Sequence, residues 1–449
     1  MEHRFQNYSL ETSNRGLVRA LQFERLQNVM DAAWTTNRFY REQWTAAGVH
    51  SSRIRSIEDF TARIPVVRKQ NFMADQEDHP PFGWRHDHAM SKDEQMVICT
   101  TSGTSGQGVE VHASTESESR MAAEVYAYGF RWAGLVPGDS IFVNYPVTLL
   151  GGGRIELRGA EGYGLTVYPI GNYDAARKLE LLERFQPDGI MSTTSYLGHL
   201  AAVSQTLPPS SKLKTMMGGG ESGGYAWLKR LTEQWDVPLF NHYGATQTRV
   251  DHMFPCERNI GTRKNPGMLH NIDPYFLMEV VDRNSGDQVS DGDEGEIVVT
   301  SLFYTDVPLI RCAMGDRAVY HDPSYCPCRR PFCGVEIGSI ARIDDMKKVK
   351  GINIWPEAID DVLFGFDNID EYQITLDSDE TEADLATIRI MPYDEPAVQN
   401  DAAFISKVAT ALQKRIGISF VVELGLPGSL PRSEWKARRW IDNRVHQQE

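Results

Sequence analysis

The chain has 449 residues, 41% of them hydrophobic and 24% charged, with a net charge of -15 from 46 Lys and Arg against 61 Asp and Glu. That composition excludes disorder, collagen and coiled coil as whole-chain answers, and the length allows a large core spread over roughly two to four domains. The acidic balance argues against nucleic acid, whose phosphates need clustered positive charge, and no apolar run approaches the length that spans a bilayer.

The N-terminal stretch MEHRFQNYSLETSNRG has neither an apolar centre nor a small-residue cleavage site, so no secretory signal is expected and a cytoplasmic location is the simplest reading. From Leu17 to Gln43, Leu17, Leu21, Leu26, Val29, Met30, Ala33 and Trp34 recur at helical spacing, which predicts one long amphipathic helix ending near Gly48. Between 97 and 240 short apolar runs alternate with helical stretches. Strands are expected at Ile141–Tyr145, Leu165–Tyr168 and Gly189–Met191, and helices at Ala175–Phe185 and Tyr196–Thr206. Such alternation predicts an α/β domain with parallel strands. Strand-like runs at Phe276–Val281 and Glu296–Thr300, separated by the turn-rich SGDQVSDGDEG, predict an antiparallel subdomain. After Asp344–Asp345 the pattern becomes that of a small α+β domain. Its helices are expected at Pro356–Leu363 and Ala402–Arg415, and its strands at Gln373–Leu376, Thr387–Met391 and Phe420–Leu424. The acidic run DSDETEAD, 377–384, reads as a solvated hairpin loop. The expected division is 1–343 and 344–449.

Two local patterns carry chemistry. In CTTSGTSGQGVEV, Cys99 to Val111, glycines and hydroxyls are concentrated after an apolar run. Such a loop can turn successive N–H groups onto one anion, but without a Gly-Lys-Ser/Thr ending it is no Walker loop. Four of the six cysteines fall between 312 and 333, and in a large cytoplasmic protein this points to metal more than to disulfides. Cys326-Pro-Cys328 is a tight thiolate pair, Cys333 follows it, and Cys256 lies upstream with His252 and His270 on either side. Thiolates with one imidazole suit tetrahedral Zn²⁺, and four protein ligands would make such a site structural.

SGTSG in the glycine-rich loop is similar to the Ser-Gly-Thr-Thr-Gly phosphate loop of the adenylate-forming enzymes, the superfamily of acyl-CoA synthetases, adenylation domains and luciferases. Further elements follow in order: GGGES at 218–222, NHYGATQ at 241–247, MGDRA at 314–318, ARIDDMKKVKG at 341–351 and LPRSEWKARR at 430–439. Within that superfamily the chain most resembles the phenylacetate-CoA ligase branch. IPVVRKQNF, GGGRIELRGAEGYGLTVYPIG, TTSYLGHLA, DVPLIR and KGINIWPEAID extend the resemblance over nearly the whole length.

The resemblance implies ATP-dependent activation of a carboxylic acid to an acyl-adenylate, then displacement of AMP by a thiol, usually that of coenzyme A. It would place Ser102, Gly103, Thr104, Ser105 and Gly106 on the β- and γ-phosphates. Gly220, Glu221, Asn241, His242, Tyr243 and Gly244 would surround the adenine, with Thr246 on phosphate, Asp316 on the ribose hydroxyls and Arg342 assisting there. Lys436 would bridge the attacking carboxylate and the α-phosphate as a point charge, and Asp344 would be the hinge that swings it away before thiol attack. An acyl pocket lined by Tyr145, Gly151, Gly152, Tyr196, Gly218, Gly219 and Ala245 would suit a flat aromatic acid, with His242 free either to meet a ring hydroxyl or amine or to line the adenine site. ATP, Mg²⁺ and coenzyme A are the implied cofactors, and a homodimer is left open.

Some relatives of that branch carry a Cys, a Gly-Leu-His and a Cys-x-Cys, which here match Cys256, Gly267-Met268-Leu269-His270 and Cys326/Cys328. The Cys256–His270 spacing is longer than theirs, which leaves His252 or Cys333 as substitutes. Two departures touch ATP. Gln107 replaces the Lys that often ends the phosphate loop, and Gln247 replaces the Glu that helps hold Mg²⁺, an amide being a poorer ligand for a hard cation. Three readings compete: an aryl-CoA ligase, an adenylating enzyme that passes its aryl group to a carrier-protein thiol, an amine or a hydroxyl, and a catalytically silent nucleotide-binding protein.

Overall fold

A computed structural model describes residues 4–101, 108–204, 212–221, 223–378, 384–393, 402–430 and 439–444. After α1 (Tyr8–Glu11), the expected long helix is two: α2 (Arg15–Thr36) and α3 (Arg38–Ala46). Asn37 divides them. Its amide closes α2 on the Ala33 carbonyl, its side-chain oxygen accepts from Tyr40 N to open α3, and its Nδ2 donates to the Arg85 carbonyl at 2.8 Å. An Asn that bonds the backbone on three sides ends a helix even where the apolar spacing continues. Short helices α4 (Ile57–Arg63), α5 (Lys69–Asp78) and α6 (Asp87–Met90) follow, and then β1 (Met96–Thr100) pairs antiparallel with β2 (Val111–Thr115) on either side of the glycine-rich loop.

Beyond α7 (Glu116–Trp132) the chain alternates strictly through β3 (Ser140–Val143), α8 (Arg154–Tyr163), β4 (Thr166–Pro169), α9 (Ala175–Phe185), β5 (Gly189–Thr193), α10 (Thr194–Val203), β6 (Thr215–Gly219), α11 (Tyr225–Trp235) and β7 (Leu239–Asn241). The five strands are parallel in the order β4-β3-β5-β6-β7, as the alternation predicts. Side-chain oxygens of Thr115, Asp174 and Thr193 cap α7, α9 and α10, which fixes where each helix starts. The chain leaves β3 first to one side and later to the other. In open α/β sheets the crevice beyond the strand C-termini at such a reversal is where ligands bind. Tyr145, Gly219–Gly220 and Asn241–His242 all stand just past, or at, those C-termini.

The next strands are β8 (Tyr243–Ala245), β9 (Val250–Pro255), the small hairpin β10 (Gly261–Thr262) and β11 (Asn265–Pro266), β12 (Met268–Asn271), β13 (Phe276–Val281), β14 (Glu294–Ser301), β15 (Cys312–His321), β16 (Gly334–Glu336) and β17 (Ala341–Arg342). Apart from the hairpin they form one antiparallel sheet in the order β13-β14-β15-β16-β12-β9-β8, with β17 added to β15. β18 (Lys347–Val349) and β19 (Ile352–Ile354) then lead to α12 (Pro356–Leu363), β20 (Ile369–Ser378), β21 (Asp384–Pro392), α13 (Ala402–Ile416), β22 (Val421–Leu424) and β23 (Trp440–Asp442). This C-terminal sheet runs β22-β21-β20-β23, with β20 antiparallel to β21, and residues 379–383 of the acidic run lie outside the described residues. α11 packs on α12: the Trp227 and Phe364 rings lie 4.7 Å apart, and Arg230 donates to the Phe364 and Phe366 carbonyls at 2.9 and 2.7 Å. No described helix is long and apolar enough to cross a membrane.

Candidate active site and a buried cysteine–histidine cluster

Strand register assembles the nucleotide side. Asp316 on β15 sits directly opposite Arg342 on β17, which brings Arg342 Nε to 3.4 Å from Asp316 Oδ1. Tyr243, on β8, donates its hydroxyl to Asp316 Oδ2 at 2.6 Å. The charge of Asp316 raises the Arg342 pKa, which keeps the guanidinium ionised. A carboxylate is acceptor-only when ionised, which is the chemistry a ribose diol calls for. Asp344 follows two residues after Arg342, its Oδ2 4.0 Å from Arg342 Nη2.

Glu221 lies at the mouth of the parallel sheet. Its carboxylate accepts from Ser195 N at 2.5 Å, Ser195 Oγ at 2.9 Å and Thr194 Oγ1 at 3.0 Å, in the first turn of α10, where a negative charge is favoured. Asn241 Nδ2 and the His242 amide both donate to the Gly218 carbonyl, at 3.0 and 2.8 Å, so β6 and the end of β7 are locked together here. Two glycines are obligatory. A Cβ at Gly219 would lie 2.2 Å from the His242 ring, and one at Gly244 would lie 2.2 Å from Asp251 Oδ1. Tyr145 borders Gly220 and donates its hydroxyl to the Ser192 carbonyl at 2.6 Å. Gly151 lies against Thr246, which precedes Gln247, and the Thr100 amide donates to the Leu149 carbonyl at 2.7 Å, drawing the entrance of the glycine-rich loop to the same place. Tyr196, in the first turn of α10, accepts from Lys178 Nζ at 2.9 Å through its hydroxyl. Ser102, Gly103, Thr104, Ser105, Gly106 and Lys436 lie outside the described residues.

Four of the six candidate metal ligands converge. Cys256 after β9, His270 on β12, and Cys326 and Cys328 in the β15–β16 connection bring their ligand atoms within 4.8 Å of one another, all buried. Cys256 and Cys326 Sγ are 3.7 Å apart, and Cys328 Sγ is 3.4 Å from His270 Nε2. A disulfide needs about 2.05 Å. A tetrahedron with Zn–S near 2.3 Å and Zn–N near 2.05 Å has edges of about 3.8 and 3.5 Å, and these contacts fit it. Backbone amides of Arg258 and Arg330 point at Cys256 and Cys328 Sγ at 3.5 Å, and His270 Nδ1 faces the Phe332 carbonyl. The alternatives are engaged elsewhere: His252 Nδ1 with Asn271 Oδ1 at 3.0 Å, Cys333 Sγ with Asp273 Oδ1 at 3.3 Å. The β10–β11 hairpin accounts for the long Cys256–His270 spacing.

Residues 36–304 match the AMP-binding enzyme family and residues 351–444 the AMP-binding enzyme C-terminal domain. The chain belongs to the AMP-binding, adenylate-forming enzymes. This adenylate-forming enzyme is 30% identical to the phenylacetate-coenzyme A ligase of Thermus thermophilus, over 97% of this chain and 98% of the relative, which places it in the phenylacetate-CoA ligase branch. It superposes on a crystal structure of 2-hydroxyisobutyryl-CoA ligase in the postadenylation state with a TM-score of 0.88 at 28% identity, covering 98% of this chain and 92% of that one. Against the same ligase in the thioesterification state the TM-score is 0.70, at 28% identity and 98% and 93% coverage.

Motif reading missed three acidic residues of this adenylate-forming enzyme. Glu110, fully buried on the far side of the glycine-rich loop, accepts from Gln247 Nε2 at 2.9 Å. Glu156, in the first turn of α8, and Asp251, on β9, are drawn together behind Tyr145 and His242. In RIELRGAEGYG a Glu between two Arg reads as a solvated helix face, so nothing local marks Glu156 as buried.

Proposed function

We propose that this enzyme uses ATP to activate an aromatic carboxylic acid as its acyl-adenylate and then transfers the acyl group to coenzyme A. The observation that carries the reading is the Tyr243–Asp316–Arg342 constellation abutting the glycine-lined crevice at Gly218–Gly220 and Tyr145. Asp316 receives the ribose hydroxyls. Asn241, Tyr243 and the Gly220–Glu221 turn hold the adenine, with Thr246 and the 102–106 loop on phosphate. An aromatic acid is assigned on Tyr145 and on the closely packed glycines Gly218, Gly219 and Gly151, which suit a flat ring better than a long acyl chain.

Lys436 is assigned to bring the two anions together, which is the main electrostatic problem of adenylation. Its segment is flanked by two fixed points: buried Leu430, and Arg439, whose Nε lies 2.6 Å from Glu371 Oε1. Residues 1–343 and 344–449 are assigned as two domains hinged at Asp344. The higher TM-score with the postadenylation state than with the thioesterification state of 2-hydroxyisobutyryl-CoA ligase supports a mobile C-terminal part. Magnesium is assigned to the ATP phosphates with Glu110, whose Oε1 is buried without a partner among the described residues; burial raises the Glu110 pKa, and a bound cation would favour the ionised carboxylate that Gln247 cannot offer. Cys256, His270, Cys326 and Cys328 are assigned to a structural Zn²⁺ that ties the β9–β12 segment to the β15–β16 loop without taking part in the reaction.

Pyrophosphate release with ATP and Mg²⁺ across benzoic, hydroxybenzoic, aminobenzoic and phenylacetic acids tests the adenylation. AMP and a thioester on adding coenzyme A are the expected products. An adenylate that accumulates despite coenzyme A overturns the acceptor, and silence with every acid overturns the reaction. Elemental analysis of chelator-washed protein is expected to find about one zinc per chain, and a metal-free, fully folded protein would remove that assignment.

A further inference from the structure

The crevice assigned to the acyl group contains more polar chemistry than a hydrocarbon ring can use. Glu156 is 4% exposed and His242 3% exposed. A side chain starting at Gly152, one of the crevice glycines, would stand 3.2 Å from Glu156 Oε1, and the His242 ring covers Gly219, another of them. Around them stand Asp251 and Tyr126. His242 Nδ1 is 2.7 Å from Asp251 Oδ2, close enough for an ion pair though off the hydrogen-bond line, and Tyr126 gives its one proton to that same oxygen at 2.8 Å. Tyr145 has spent its proton on the Ser192 carbonyl. What is left over is specific: Glu156 Oε2 and His242 Nε2 are buried with no hydrogen-bond partner among the described residues.

Buried polar atoms are nearly always paired, so two left over beside glycines assigned to the acyl pocket, Gly152 and Gly219, point to a partner that arrives with the ligand. Burial, and then the Asp251 charge, lifts the Glu156 carboxyl to about 8, so near neutral pH it keeps its proton and can both donate and accept. A neutral group with the same double capacity matches it better than a cation does.

Resting on the reading of an aryl-activating enzyme, we propose that Glu156 and His242 form a substituent-selecting site, and that the acid it takes carries a ring hydroxyl or amino group received there. A site built to pair such a group rejects the analogue that lacks it far more strongly than an apolar pocket rejects an extra methylene, because the protein groups are then stranded.

The test is adenylate-dependent pyrophosphate release with benzoate and phenylacetate against their hydroxy and amino derivatives, comparing the full-length enzyme with Glu156→Ala, Glu156→Gln and His242→Leu. The expected result is a kcat/KM at least 100-fold higher for one hydroxy or amino acid than for its unsubstituted parent. Glu156→Ala should lower that ratio at least tenfold, with Glu156→Gln keeping part of it. For the two Glu156 variants ATP affinity by calorimetry should stay within about twofold, which separates lost selection from lost folding. A native enzyme that prefers the unsubstituted ring overturns the proposal without help from any variant, as does a Glu156→Ala enzyme whose ratio is unchanged. His242→Leu provides the same readout should Glu156→Ala fail to fold. Release with an aliphatic acid only, or with none, would instead fail the underlying assignment of an aryl-activating enzyme.

Discussion

The two groups of residues proposed to receive the nucleotide and the acid are built in opposite ways. Asp316, Arg342 and Tyr243 are held by strand register, each within a short recognisable segment, and Asp316 meets the Tyr243 hydroxyl at 2.6 Å and the Arg342 guanidinium at 3.4 Å. In the proposed acyl region Glu156, His242, Asp251, Tyr126 and Tyr145 come from five separate places in the chain, and Glu156 Oε2 and His242 Nε2 have no hydrogen-bond partner among the described residues. The nucleotide is the same for every member of such a family and the acid is not. Hence the invariant partner is read by compact motifs, whereas the variable one is read by dispersed positions that can change singly.

That contrast can be broken at three places. Lys436→Ala should have the largest effect, about a 1,000-fold loss of acyl-adenylate formation, with thioester formation from supplied acyl-adenylate largely retained. Equal loss in both half-reactions would sink the hinge assignment, and stopped-flow comparison of the two would show it. Asp316→Ala comes next. Losing charged hydrogen bonds to the ribose should raise the KM for ATP by roughly 10- to 100-fold and move the KM for the acid by much less. If both constants rise together, the two sides of the crevice are not separable in the way drawn here.

The smallest effect is on stability, and it concerns Glu156. Its carboxyl sits at about 8 in the folded protein against 4.5 as its ordinary value, raised by burial and then by Asp251, with His242, Tyr126 and Tyr145 also facing it. Between those two pH values the folded chain holds a proton that the unfolded chain releases. The contribution is therefore fully present below about pH 4.5 and is lost as pH rises through 8. Glu156→Gln, which cannot ionise, should gain stability relative to the native enzyme on going from pH 5.5 to pH 8. Urea midpoints at the two values would check it, and a gap that stays constant would place Glu156 in a wetter, less perturbed setting.

Much of this was legible beforehand, for physical reasons. Parallel strands buried on both faces read as short apolar runs, and helices between them as periodic ones, so β3, β4, β5 and α9 were expected close to their observed bounds, whereas β6 and β7 were not singled out. The acidic hairpin and the helix at Pro356–Leu363 followed from charge and from proline at the first helical position. Asn37 was not, because apolar spacing runs through it unbroken and only its three hydrogen bonds, one of them to Arg85, turn it into a break.

By itself the sequence determined the order of the motifs, the alternation of strand and helix, and the set of thiols and imidazoles from which a metal site could be drawn. These depend on residue type and on spacing along the chain. Only the tertiary structure decided which four of six ligands meet, why Cys256 and His270 could stand so far apart, that Gln247 has Glu110 for a neighbour, and that Glu156 is buried rather than solvated. Each of those is a matter of which distant segments touch. A charged side chain flanked by arginines looks the same in sequence whether it faces water or the floor of a crevice.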